Sequence, residues 1–132
     1  NARAAASSAD VLIAPRTGPE VVAGSTRLKS GTAAKLVLNA MTTAAMVRLG
    51  KVYDNWMVDL RATNRKLVFR GVGMTARLGG VPRARAARLF DESGRHVKTA
   101  VVMARLGLDR RGARRLLAAR GGSLRRALEE GR

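Results

Sequence analysis

Apolar side chains recur at Leu28, Ala33, Leu36, Val37, Ala40, Met41, Ala44 and Val47, the i, i+3, i+4 spacing of a helix packed along one side. The spacing predicts a long helix from Ser25 to about Gly50, with the glycine at its end. Upstream, Asp10 to Ala14 (DVLIA) is short, apolar and β-branched, the pattern of a buried parallel strand. Downstream, a loop holding Asn55 and Trp56 leads to a helix capped at Thr63 and running through Leu67 and Val68 toward Leu78. Gly79-Gly80-Val81-Pro82 then breaks the chain, because paired glycines end one helix and proline starts another. A domain boundary is placed at that break, giving residues 1–79 and 80–132.

The last fifty residues repeat weakly at an offset of 27: Leu89 with Leu116, Phe90 with Leu117, Gly94 with Gly121, Val97 with Leu124, Lys98 with Arg125, Ala100 with Ala127. Each copy reads as helix, glycine, helix. Such units bury their apolar faces only against each other, so a compact bundle of about four short helices is expected. Asp109 and Ser123 supply caps, and His96 reads as a helix-start residue. Aromatic residues are few, so the core is expected to rest on Leu, Val, Ala and Met, with Tyr53, Trp56, Phe69 and Phe90 as large fillers.

Charge changes the picture more than composition does. The chain carries 26 Lys/Arg against 9 Asp/Glu, a net +17, which is ordinarily the footprint of a nucleic-acid binder. The excess is spread, however: +7 over residues 1–70 and +10 over residues 71–132. Arg110, Arg111, Arg114 and Arg115 wrap around a helix and form no single stripe, and few aromatic rings are available to stack on bases. A solvated basic face is the expectation, and nucleic acid is not the expected partner. The absence of cysteine excludes disulfides and thiolate metal sites and fits a cytosolic protein. No apolar run approaches the ~20 residues of a membrane span.

Catalytic patterns are sparse. There is no GxSxG, P-loop or HExxH, and His96 is the single histidine, which argues against a histidine triad or zinc cluster. Gly71-Val72-Gly73 lacks the third glycine of a dinucleotide loop and does not follow a strand. The segment Thr17 to Lys35 (TGPEVVAGSTRLKSGTAAK) is different. Thr17-Gly18-Pro19 reads as a chain reversal, Ser25 or Thr26 as the cap of the long helix, and the open amides there, with Arg27 and Lys29, as a corner suited to phosphate or carboxylate. The plain alternative is an ordinary capped helix that binds nothing.

TGPEVVAGSTRLKSGTAAKLVLNAMTTAAMVRLGKVYDNWMVDLRATNRKL resembles the signature region of bacterial N-acetylmuramic acid 6-phosphate etherases, shared with the animal glucokinase regulatory protein. The likeness runs without a gap from about Ala9 to Leu67, and the remainder is similar to the small helical domain that closes those etherases. The resemblance implies an α/β fold: the C-terminal part of a SIS-type α/β/α sandwich, mostly helical in these residues, then an all-α bundle like a ubiquitin-associated (UBA) domain. It also implies that the sheet partners, the sugar-phosphate loops and two catalytic glutamates precede Asn1, so no catalytic residue is assigned here. Glu129 and Glu130 are expected to be solvated.

The implied reaction cleaves the D-lactyl ether of N-acetylmuramic acid 6-phosphate during cell-wall sugar recycling, with no metal or redox cofactor, in a cytoplasmic homodimer. GPE followed by small residues and Ser-Thr-Arg is also similar to a segment of sugar-phosphate isomerases, where the glutamate lines the active site. That makes Glu20, Ser25, Thr26, Arg27 and Lys29 the candidate substrate-binding residues. Glu20 is read equally well as a carboxylate accepting hydrogen bonds from the helix start, and Lys35 and Asn39 as structural. A non-catalytic sugar-phosphate sensor of the glucokinase-regulator type and a basic nucleic-acid module are the alternative functions.

Overall fold

The computed structural model describes residues 9–129, which are mostly helical: six α-helices and one two-stranded hairpin among the described residues. Two compact units divide the chain, Asn1–Ala45 and Met46–Arg132. The Gly79–Pro82 break falls within the second of these.

The first unit contains the Thr17–Lys29 turn region and most of helix α1 (Lys29–Arg48). Helix α1 starts four residues later than Ser25, after turns in which Thr26 O accepts from Gly31 N at 2.8 Å and Leu28 O from Thr32 N at 3.0 Å. No residue of α1 is buried, and Leu36 and Met41 are 65% and 55% exposed. The apolar side that periodicity marks for packing therefore lies open in this unit. The expected strand at Asp10–Ala14 does not form, and Val11, Leu12 and Ile13 are exposed. A strand needs a neighbour to satisfy its amides and carbonyls, and the described residues offer it none: the only ladder among them joins Val52–Tyr53 to Trp56–Met57.

That ladder begins the second unit. Strands β1 (Val52–Tyr53) and β2 (Trp56–Met57) pair antiparallel, Val52 opposite Met57 and Tyr53 opposite Trp56. What the sequence suggests as a loop is thus a hairpin. Its two-residue turn, Asp54-Asn55, suits the tight connection because Asp54 takes φ 50°, a region aspartate and asparagine tolerate.

Helices α2 (Arg65–Gly79), α3 (Arg83–Glu92), α4 (Val97–Leu106), α5 (Arg110–Ala119) and α6 (Leu124–Glu129) follow. The cap of α2 is Asn64, one residue beyond Thr63: its Oδ1 accepts from Leu67 N at 3.0 Å. Asp109 caps α5 as expected, accepting from Gly112 N at 2.7 Å, and Ser123 Oγ accepts from Arg126 N at 3.4 Å. His96 occupies the N-cap of α4 without a side-chain bond.

Helix α4 is the axle of the unit. It packs against α2, α3, α5 and α6, and six of its ten residues are buried, from Val97 through Met103. The internal repeat shows why. Phe90 and Leu117, Val97 and Leu124, and Ala100 and Ala127 are all buried, and Gly94 and Gly121 both take positive φ, 76° and 61°, at the turns between paired helices. Even the polar pair corresponds, because Lys98 meets Asp59 at 3.2 Å and Arg125 meets Asp54 at 2.8 Å.

Lys98 has further work. Its ammonium, on a side chain only 17% exposed, also donates to Gly122 O at 3.0 Å and Gly50 O at 3.4 Å. One cation thereby ties α4 to the start of the hairpin and to the α5–α6 turn. Two buried hydroxyls are satisfied locally: Ser93 Oγ donates to Phe90 O at 2.6 Å and accepts from His96 N at 3.0 Å, and Thr75 Oγ1 donates to Gly71 O at 2.9 Å.

Of the aromatic residues, Phe90 fills the core and Tyr53 and Trp56 pack beside it. Phe69 does not belong there: it is 68% exposed, with the Arg83 guanidinium 4.1 Å above its ring. An exposed ring beneath an arginine is a stable surface arrangement, since the ring face attracts the cation. Arg83, Arg85, Arg88, Arg110, Arg111, Arg114 and Arg115 are exposed, the solvated basic face expected of them.

Candidate functional site

Glu20 organises the corner that the sequence singles out. Its Oε2 accepts from Lys29 N at 2.9 Å and its Oε1 from Ser30 N at 3.0 Å. The two carboxylate oxygens thus take the first two amides of α1, where the positive end of the helix favours negative charge. The amides of Ser30 and then Lys29 hold the Glu20 carboxyl below its ordinary value, with the Lys29 ammonium adding to them. Glu20 is therefore an ionised acceptor near neutral pH.

The next two amides, those of Gly31 and Thr32, bond to Thr26 O and Leu28 O. All four donors of the helix start are occupied by the chain itself. The open amides expected to receive an anion are consequently closed, and the cap is neither Ser25 nor Thr26 but a carboxylate nine and ten residues upstream of its donors.

Lys29 Nζ turns back to donate to Pro19 O at 2.8 Å, and Thr17 Oγ1 and Ser30 Oγ lie 3.2 Å apart. The structure thus brings Glu20 and Lys29 together and adds Thr17 and Ser30, which no local capping rule would select. Ser25, Thr26 and Arg27 sit on the turns just before the helix. Ser25 engages through its backbone, with N donating to Val22 O at 3.0 Å and O accepting from Leu28 N at 3.2 Å, and Thr26 N donates to Gly24 O at 3.0 Å. Arg27 is exposed. A cleft of about 340 Å³ beside the corner is lined mainly by Ile13, Pro15, Ala33, Val37 and Leu38, with Thr17 and Ser30 at its polar edge.

Chemically, the corner offers an ionised carboxylate with lone pairs to spare, a neighbouring ammonium and two hydroxyls. Such a set can hold hydroxyl groups of a polar ligand in place. Among the described residues no group of three or more His, Asp or Glu side chains converges as a metal site requires, and no helix is long and apolar enough to cross a membrane. Glu129 is exposed and lies 3.9 Å from Arg125; Glu130 lies outside the described residues.

The chain is similar to known proteins that carry an etherase name. It is a homologue of the N-acetylmuramic acid 6-phosphate etherases, as its signature segment indicates: 53% identical over 120 residues, 91% of its length, to the protein of that name from Klebsiella aerogenes. Identity is 52% over 124 residues, 94% of the chain, to those from Salmonella paratyphi B and Salmonella enteritidis. The chain spans about 40% of the length of the curated relatives it matches. No protein-family model matches it.

Proposed function

We propose that this chain forms part of an etherase subunit that cleaves the D-lactyl ether of N-acetylmuramic acid 6-phosphate, releasing N-acetylglucosamine 6-phosphate and D-lactate. The observation that carries the reading is the 52–53% identity to etherases over more than nine-tenths of the chain. Residues 1–79 then contribute the C-terminal portion of a SIS-type α/β/α sandwich and residues 80–132 a UBA-like helical domain, in a homodimer working on a sugar phosphate.

In this reading the chemistry is elimination followed by hydration. Opening of the sugar ring exposes an aldehyde, a base removes the proton from the adjacent carbon, and an acid protonates the departing lactyl oxygen. Water then adds to the double bond. The base must be ionised and the acid protonated at working pH, a task for two glutamates in contrasting environments, and none of the carboxylates here takes either part. Glu20 instead accepts hydrogen bonds from hydroxyls of the opened sugar, using the lone pairs its two backbone donors leave free, with Ser25, Thr26, Arg27 and Lys29 lining the same ligand.

Support for Glu20 comes from its being kept ionised by fixed backbone dipoles, which gives an acceptor that needs no rearrangement. The test is D-lactate release from N-acetylmuramic acid 6-phosphate by the full reading frame that contains this segment. Release is expected, with Glu20→Gln lowering kcat/KM by about tenfold or more; no release from the unaltered protein overturns the reading. The 132-residue chain alone is expected to give no turnover.

A nucleic-acid module is the second reading, favoured by one observation. The second unit holds 21 Lys/Arg against 7 Asp/Glu, and so carries +14 of the net +17. It predicts oligonucleotide binding that weakens steeply with salt.

A further inference from the structure

A cleft of about 470 Å³ lies inside the second unit, between the hairpin with the residues leading into it and the α5–α6 turn. Its wall includes Arg48, Asp54, Arg120, Ser123, Arg125 and Arg126, four guanidinium groups against one carboxylate among the described residues, and Arg120 has a partner of its own. That carboxylate is already engaged, since Asp54 Oδ1 accepts from Arg125 Nη2 at 2.8 Å. Arg48 and Arg126 make no ion pair among the described residues.

The walls of the cleft are fixed by the packing behind them. Lys98 bonds both Gly50 O and Gly122 O, and the Gly50 backbone presses so closely on Ser123 that an added Cβ would lie 3.2 Å from Ser123 Cα. Arg125 is held by Asp54 and by the Tyr53 ring, whose centroid is 5.2 Å from its guanidinium carbon. The arginines are therefore mounted on a rigid base and do not hang from a free loop.

Cations gathered around a partly enclosed space repel one another, and a compact dianion reverses the sign of that interaction. Guanidinium forks match phosphate oxygens in geometry as well as charge. The volume suits a small metabolite. We propose that this cleft binds a small phosphate-bearing anion, at a site that shares no residue with the Glu20 corner and does not rest on the etherase reading.

Isothermal calorimetry on the full chain at constant ionic strength, with inorganic phosphate and glucose 6-phosphate as probes and glucose as the neutral control, tests the proposal. Saturable binding of one phosphate probe per chain is expected, and none of glucose. Tighter binding of inorganic phosphate identifies the free ion as the ligand, and tighter binding of glucose 6-phosphate a phosphorylated metabolite. The double variant Arg48→Gln/Arg126→Gln should weaken binding about tenfold or more, whereas Arg111→Gln/Arg114→Gln, with the same loss of charge on α5, should change it less than about twofold. Should the double variant lose its thermal transition, Arg126→Gln alone, at an exposed position with no ion pair among the described residues, must still weaken binding. Equal weakening by both pairs, no binding at about 10 mM phosphate, or binding of a single-stranded oligonucleotide without either small phosphate would overturn the proposal.

Discussion

Replacing Gly71 by alanine sets two known effects against each other inside α2. An interior helix glycine costs roughly 1 kcal/mol relative to alanine, so on backbone grounds Gly71→Ala should stabilise the chain. The structure opposes this. An added Cβ would stand 2.7 Å and 3.1 Å from Phe90 Cε2 and Cε1, and nearer still to Cζ, where unstrained carbons keep about 3.5 Å. Phe90 is completely buried, at 0% exposure, so its ring cannot swing toward solvent to make room. Overpacking of this kind costs about 1–3 kcal/mol, and with a ring this confined the upper half of that range applies. The net expectation is a loss of about 1–2 kcal/mol. For a unit of this size each kcal/mol moves the midpoint by about 4–8 °C, so thermal melts followed by far-ultraviolet circular dichroism should show Tm lower by roughly 5–15 °C. Phe90→Leu combined with Gly71→Ala should cost less than the two single losses added together, because the smaller side chain vacates the contested space. A Tm equal to or above that of the parent would refute the close approach of α2 to Phe90.

The remaining expectations follow from the polar contacts. Glu20→Ala should speed amide hydrogen exchange at Lys29 and Ser30 several-fold relative to mid-helix amides such as that of Ala40, since the two acceptors are removed; unchanged protection would show that the cap is not formed. Lys98→Met should cost about 1–3 kcal/mol in urea unfolding, because Gly122 O and Gly50 O lose their shared donor and Asp59 its nearer cation; a loss under about 0.5 kcal/mol would contradict that role. The pH dependence of stability should report Asp59. Burial pushes its carboxyl up, but the Lys98 ammonium, followed by Lys51, outweighs burial and holds it below the ordinary 3.8. A depressed carboxyl contributes stability that is present above its unfolded value and lost as pH falls through its folded value. Asp59→Asn should therefore lower Tm at pH 6 and converge with the parent toward pH 2, and a gap independent of pH would dismiss the linkage.

The parts of this fold that the sequence discloses are those governed by neighbours along the chain. Glycine and proline at 79–82 mark a helix end and a helix start, Asp109 caps three residues ahead, and the 27-residue offset pairs Phe90 with Leu117 and Val97 with Leu124 because both copies bury the same positions. What escapes is governed by distance. Glu20 reaches amides nine and ten residues away, so a search for caps adjacent to the helix finds Ser25 and Thr26 instead. The hairpin rests on a two-residue turn whose aspartate adopts positive φ, which Asp54-Asn55 permits but does not announce. Phe69 has the residue type of a core filler, yet Arg83 provides it with a surface alternative. Periodicity in α1 states that one side is apolar without stating what meets it, and DVLIA has strand chemistry that only a neighbouring strand can use.

The bare flank of α1 has a practical meaning for anyone handling the 132-residue chain. Leucine and methionine at positions such as 36, 38 and 41, all in the first unit, stand in water. Such a polypeptide joins exposed apolar side chains to a net charge of +17. Its solubility should be set by counterions: added sulfate, by screening the arginines and strengthening apolar association together, should salt it out far sooner than its charge alone would suggest.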